Sequence, residues 1–87
     1  MTSKTIEQQL KEIIKPYVQN KEALQEATRE TDMLRDLQVN SAHLVDIILD
    51  MEDKFDIEID DATAEKMLTV GEAVAVTEKL LAQKDAG

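Results

Sequence analysis

Eighty-seven residues, no cysteine and a formal charge of −9 bound the problem at once. A chain of this length makes one small domain and buries only about 60–65% of the surface its unfolded form exposes. Tyr17 and Phe55 are its only aromatics, so the core must be built from Leu, Ile, Val, Met and Ala, and without cysteine there is neither a disulfide framework nor a thiolate metal site.

Acidity on this scale argues against nucleic acid, whose phosphates would be repelled, and favours basic protein surfaces as partners. MTSKTIEQQL lacks the apolar centre of a signal peptide, and no apolar run approaches a membrane span. A cytoplasmic monomer is expected.

Ile6, Leu10, Ile13, Ile14, Tyr17 and Val18 recur at helical spacing. Thr5-Ile6-Glu7-Gln8 has the form of a capping box, which places a first helix over about 5–18. Pro16 lacks an N–H and its ring crowds the carbonyl of Glu12, so the helix should kink or stop near Lys15. Residues 19–38 are polar with scattered apolar positions. A short helical turn is expected at 21–27 and another near Met33-Leu34, pinned to the bundle by Ala23, Leu24, Met33, Leu34 and Leu37.

The clearest periodicity lies in 41–55. At about 100° per residue, Leu44, Ile47, Ile48, Met51 and Phe55 share one arc, a core stripe. Asp46, Asp50 and Asp53 lie opposite. Val45 and Leu49 fall between, widening the apolar face beyond what one small core needs. Ile57-Glu58-Ile59 alternates like a strand but has no partner strand, so it reads as an extended loop with both isoleucines turned inward. Asp60 or Asp61 can cap a short third helix through about Met67. Thr69-Val70-Gly71-Glu72 is a second capping-box sequence and opens a last helix with Val70, Val74, Thr77 and Leu81 on one face. The whole reads as all-α: a bundle over about 4–83 with three long helices and one short, and a tail from Lys84 that frays.

Charge is confined. The stretch 36–65 holds ten acids and one base, Lys54, and so carries the entire −9; the remainder is neutral. One segment therefore owns the electrostatic field.

Catalytic constellations are lacking. His43 is the only histidine, and two residues from Ser41 on a helix it cannot face it. Asp50–Asp56 looks superficially like an acidic calcium loop but has Phe55 where that loop turns on glycine. Ser41 admits two readings from its residues alone. It can cap the helix that follows, or it can hold a phosphodiester supported by free N–H groups and the positive end of the helix dipole.

The run Asp36-Leu37-Gln38-Val39-Asn40-Ser41, followed by Val45-Asp46, Leu49, Glu52-Asp53, Phe55-Asp56 and Ile57-Glu58-Ile59, resembles the acyl carrier proteins. That family has D-L-G-x-D-S-L, a helix closed by glutamate and phenylalanine, then an I-x-I-like segment. TIEQQLKEII is similar to its first helix, and KMLTVGEAV to the entry of its last. The resemblance implies a four-helix carrier bundle with Ser41 as the attachment point for 4′-phosphopantetheine, whose thiol carries acyl groups as thioesters. The cofactor would thus supply the nucleophile that a chain without cysteine lacks. It implies docking of a phosphopantetheinyl transferase and of basic acyl-loading and acyl-transferring enzymes on Ala42, Val45 and Leu49, ringed by Asp46, Glu52 and Asp53, and no catalysis by the chain itself.

The chain departs from the pattern at Gln38 for glycine, Asn40 for aspartate, Ala42 for leucine, Asp60 for proline, and in having Pro16. These imply a specialised carrier with its own partners. The competing reading is an unmodified acidic interaction module on the same fold.

Overall fold

The computed structural model describes residues 2–86. Five α-helices follow one another: α1 (Ser3–Ile14), α2 (Lys21–Gln25), α3 (Leu44–Phe55), α4 (Asp61–Glu65) and α5 (Val70–Ala86). Single 3-10 turns at Lys15–Tyr17 and Ser41–His43 end α1 and open α3. Among the described residues there is no strand. The three long helices are those expected, and the helical turn foreseen within 21–27 is α2, so two short helices accompany them. At its far end α5 runs through Ala86. Lys84 Nζ donates to the carbonyl and the carboxylate of Asp56, tying the last turn of α5 to the end of α3. This contact holds the Asp56 carboxyl below the usual carboxylate range. Gly87 lies outside the described residues.

α1 starts a turn earlier than the Thr5 box implied. Thr2, in extended geometry, accepts from the Thr5 amide at 3.2 Å and is the N-cap. Thr2-Ser3-Lys4-Thr5 offers the same hydroxyl spacing with no breaker between, so the helix gains the extra residues. Its other end is as Pro16 dictates: α1 stops at Ile14 and the chain tightens into the 3-10 turn containing the proline.

α1 packs on α5 and α3. Ile6, Leu10 and Ile14 meet Ile47, Met51 and Phe55 of α3 and Val70, Ala73 and Val74 of α5, all buried. Thr77 is buried too, its hydroxyl satisfied by donating to the Ala73 carbonyl one turn back at 2.9 Å. Leu44 and Ile48 are half-buried at the edge of the core.

The connection from α2 to α3 is long yet well held. Met33, Leu37 and Val39 are buried beneath it. Its backbone is clipped to the start of α5 by three bonds: Met33 N–H to Leu68 O, Val70 N–H to Thr31 O and Gly71 N–H to Arg29 O, at 2.9, 3.0 and 2.8 Å. Two of these satisfy first-turn amides of α5 that would otherwise lack partners. Thr69 Oγ1 takes the Glu72 amide at 3.1 Å, while Glu72 reaches back to the amide of Leu68.

One backbone position on this connection is strained. Gln38 sits at φ 57°, the left-handed region that costs a residue with a Cβ roughly 1–2 kcal/mol. Glycine relieves this but returns about 0.5–1 kcal/mol through its freer unfolded chain. Gln38 is exposed and loses little packing. Gln38→Gly is therefore expected to stabilise by about 0.5–1 kcal/mol and to raise Tm by roughly 2–8 °C in a domain this small. Thermal circular dichroism reads the shift, and a lowered Tm would show that the Gln38 side chain contributes more than its backbone strain costs.

Candidate functional site

The region around Ser41 is assembled by its neighbour. Asn40, at φ −67° and ψ 133°, is the N-cap: its Oδ1 accepts from the Ala42 amide at 2.9 Å and its carbonyl from His43 at 2.8 Å. Ser41 is thereby relieved of the capping role that its position in the sequence allowed. It is exposed, and among the described residues its Oγ has no hydrogen-bond partner. The exchange also removes support foreseen for a phosphodiester. The amides of Ala42, His43 and Leu44 are already bonded, to Asn40 Oδ1, Asn40 O and Ser41 O, because the 3-10 turn consumes donors that an abrupt α-helical start would leave free. Among the described residues the Ser41 amide makes no such bond, so that donor and the field of α3 remain for an anion.

Ala42 in the 3-10 turn and Val45 and Leu49 on α3 are exposed and lie along one side of this helical stretch. Val45 is 62% and Leu49 56% exposed, so neither serves the core. Asp46, Asp50 and Asp53 are exposed on one flank of this ridge. Two are engaged locally. Asp46 Oδ2 lies 3.4 Å from His43 Nδ1, and Asp50 accepts from the Tyr17 hydroxyl at 2.9 Å. That bond, with the charges of Asp50 and Asp46, raises the pKa of the phenol. The Tyr17 and His43 rings stand 5.3 Å apart.

Tyr17 shares the helical spacing of the first helix and packs against the core. It is half-buried, and its hydroxyl belongs to the α3 surface.

On the other flank the ridge falls into an open groove of about 480 Å³ between α3 and α4. Leu44, Ile48, Ile59 and Ala64 give it apolar walls, Ser41 lies at its rim, and Asp61 and Glu65 border it from α4. Sequence reasoning placed Leu44 and Ile48 in the core stripe and foresaw no groove. The inward alternation of Ile57 and Ile59 was its only signal, and both are indeed buried.

Glu52 lies apart from the other acids. It is half-buried on the groove side, with one carboxylate oxygen 2.8 Å from the Ile59 amide. Among the described residues no three His, Asp or Glu side chains form a set that could hold a metal ion, and no helix is long and apolar enough to cross a membrane.

Comparison with known proteins bears on this arrangement. No family model matches the chain. An acyl carrier protein of Desulforapulum autotrophicum is 37% identical over 75 residues, which span 86% of this chain and 96% of that protein. One of Thermotoga maritima is 41% identical over 56 residues, covering 64% of this chain and 69% of its own length. Among solved structures, an acyl carrier protein from Enterococcus faecalis superimposes with a TM-score of 0.76 at 30% identity, over 92% of this chain and 99% of that one. Near end-to-end agreement with named carriers, in sequence and in helix arrangement, places this chain in the acyl carrier protein family.

Proposed function

We propose that this chain carries acyl or related carboxylic groups as thioesters on a 4′-phosphopantetheine arm attached to Ser41, and presents them to partner enzymes without catalysing a reaction itself. The observation that carries the reading is the exposed, unbonded hydroxyl of Ser41 at the rim of an apolar groove. Such a hydroxyl can take up the phosphopantetheinyl group of coenzyme A, with adenosine 3′,5′-bisphosphate leaving, without first breaking a structural bond. When attached, the arm supplies the thiol that the chain lacks. The groove beside it offers apolar walls to an acyl chain. The test is direct: incubation with coenzyme A and the phosphopantetheinyl transferases of the native host, read by intact mass. One added phosphopantetheinyl group supports the carrier. No addition by any of them would favour an unmodified interaction module.

Partners, the transferase included, are proposed to dock on the Ala42–Val45–Leu49 ridge, with Asp46 and Asp53 as the acidic rim. An apolar centre with a charged border is a common design for transient interfaces. The rim steers a basic partner and so governs association and its salt dependence, whereas the ridge governs dissociation. Asp46→Lys is expected to slow association with the transferase and flatten its salt dependence. Leu49→Ala is expected to cost about 1–2 kcal/mol, almost entirely in dissociation rate. Stopped-flow kinetics separates the two effects, with thermal melts as control. A loss of several kcal/mol in folding stability for Leu49→Ala would return that residue to the core.

A further inference from the structure

The acids of α3 are not equivalent. Asp46 and Asp53 project from the exposed flank, whereas Glu52 turns into the groove. There it meets the segment that connects α3 to α4. Glu52 holds this segment twice: its carbonyl accepts from Ile57 N–H at 3.1 Å, and its carboxylate from Ile59 N–H at 2.8 Å. Between the two amides the chain has no regular secondary structure, and Ile57 and Ile59 are both buried. Ile59 is itself a wall of the groove and directly precedes Asp60, the cap of α4.

We infer that Glu52 is a positioning residue, whose carboxylate sets the spacing between α3 and the α4 wall of the groove, rather than a docking acid of the rim. A bond from a backbone amide to a charged oxygen is among the stronger kinds. This one fixes the only described stretch between α3 and the cap of α4. The inference rests on the carrier reading only in saying what the groove is for. The tie itself belongs to the chain before any loading.

Two conservative substitutions separate the roles because they act oppositely. Glu52→Asp keeps the charge but is one methylene too short for the Ile59 amide. Glu52→Gln loses the charge but keeps an acceptor oxygen at the same reach. For a positioning residue, amide exchange at Ile59 in the unloaded protein should accelerate about tenfold or more in Glu52→Asp. In Glu52→Gln it should stay within about threefold, since a neutral bond replaces a charged one. Association with the host transferase should change little in Glu52→Gln, while Asp46→Asn on the same protein slows it.

The inference is overturned if Ile59 exchange is unchanged in Glu52→Asp, or if Glu52→Gln slows association as much as Asp46→Asn does. Exchange is measured without an arm, so failure of every transferase to load the protein defeats the carrier reading and leaves this test intact. Where loading succeeds, an octanoyl thioester on the arm should hydrolyse measurably faster in Glu52→Asp than in wild type and at the wild-type rate in Glu52→Gln. Equal rates in all three would remove the groove from the role assigned to Glu52.

Discussion

Ser41→Ala is expected to abolish loading by a phosphopantetheinyl transferase completely while leaving the fold untouched. The two halves of this result follow from separate observations. Loading needs a nucleophilic oxygen, and alanine has none. The fold does not need that oxygen, because Asn40 caps the turn through Oδ1 and the Ser41 hydroxyl bonds nothing among the described residues. Exposed substitutions away from structural bonds fall within about 0.5 kcal/mol, and alanine is favoured over serine in helical turns. The Tm should therefore move by no more than about 2–4 °C. Asn40→Ala is the mirror variant. It keeps the nucleophile and removes a cap worth about 1 kcal/mol, so it should lower Tm by roughly 4–8 °C and still load. Intact mass and thermal melts on the three proteins suffice. A Ser41→Ala protein that gains mass would place the modification elsewhere, and one that melts far below wild type would return the capping role to Ser41.

Docking and anchoring are read from the same helix, and the reading depends on where each side chain stands around it. Helical spacing in the sequence was enough to separate Ile47, Met51 and Phe55 from Val45 and Leu49, because burial on a small bundle follows angle closely. The structure bears this out in the contrast between three buried residues and two more than half exposed. Pro16 was equally legible, since a missing N–H acts locally whatever the fold. The roles of Asn40 and Ser41 were not. Both residue types cap helices, and only the extended backbone at Asn40 decides which of them does so. Glu52 was hidden for a related reason: its partner, the Ile59 amide, lies seven residues on, across a turn whose left-handed residue, Asp56, no sequence pattern marked. The α4 wall of the groove escaped because α4 has only five residues, too few to show a periodicity.

Gly71→Ala is expected to destabilise the protein, although glycine-to-alanine changes inside helices ordinarily stabilise by about 1 kcal/mol. Gly71 is not in the left-handed region, so conformation does not demand glycine there. Space does. A Cβ at this position would stand 2.8 Å from the carbonyl oxygen of Arg29 and 2.9 Å from its Cβ, and neither is the far end of a flexible side chain. The same carbonyl accepts the Gly71 amide at 2.8 Å. Relief therefore requires the 29–33 backbone to move off the start of α5, loosening the clip made by Met33, Val70 and Gly71 and the burial of Met33 and Val70 beneath it. Overpacking of this kind costs about 1–3 kcal/mol. Set against the ordinary gain, a net loss near 1 kcal/mol should lower Tm by about 4–8 °C, with faster amide exchange at Met33 and Val70 than at Leu10 or Met51. The consequence reaches the site, because the clipped connection runs on through Leu37 and Val39, both buried, to Asn40 and Ser41. Val39 is itself held by a bond from its amide to the Met33 carbonyl at 3.0 Å. Loading at Ser41 should accordingly slow in Gly71→Ala under conditions where the variant remains folded, while Gln38→Gly, which relaxes the same connection without displacing it, should load at the wild-type rate. A Gly71→Ala protein that melts at or above wild type would show that the clip yields without cost and that the connection is positioned by its buried residues alone.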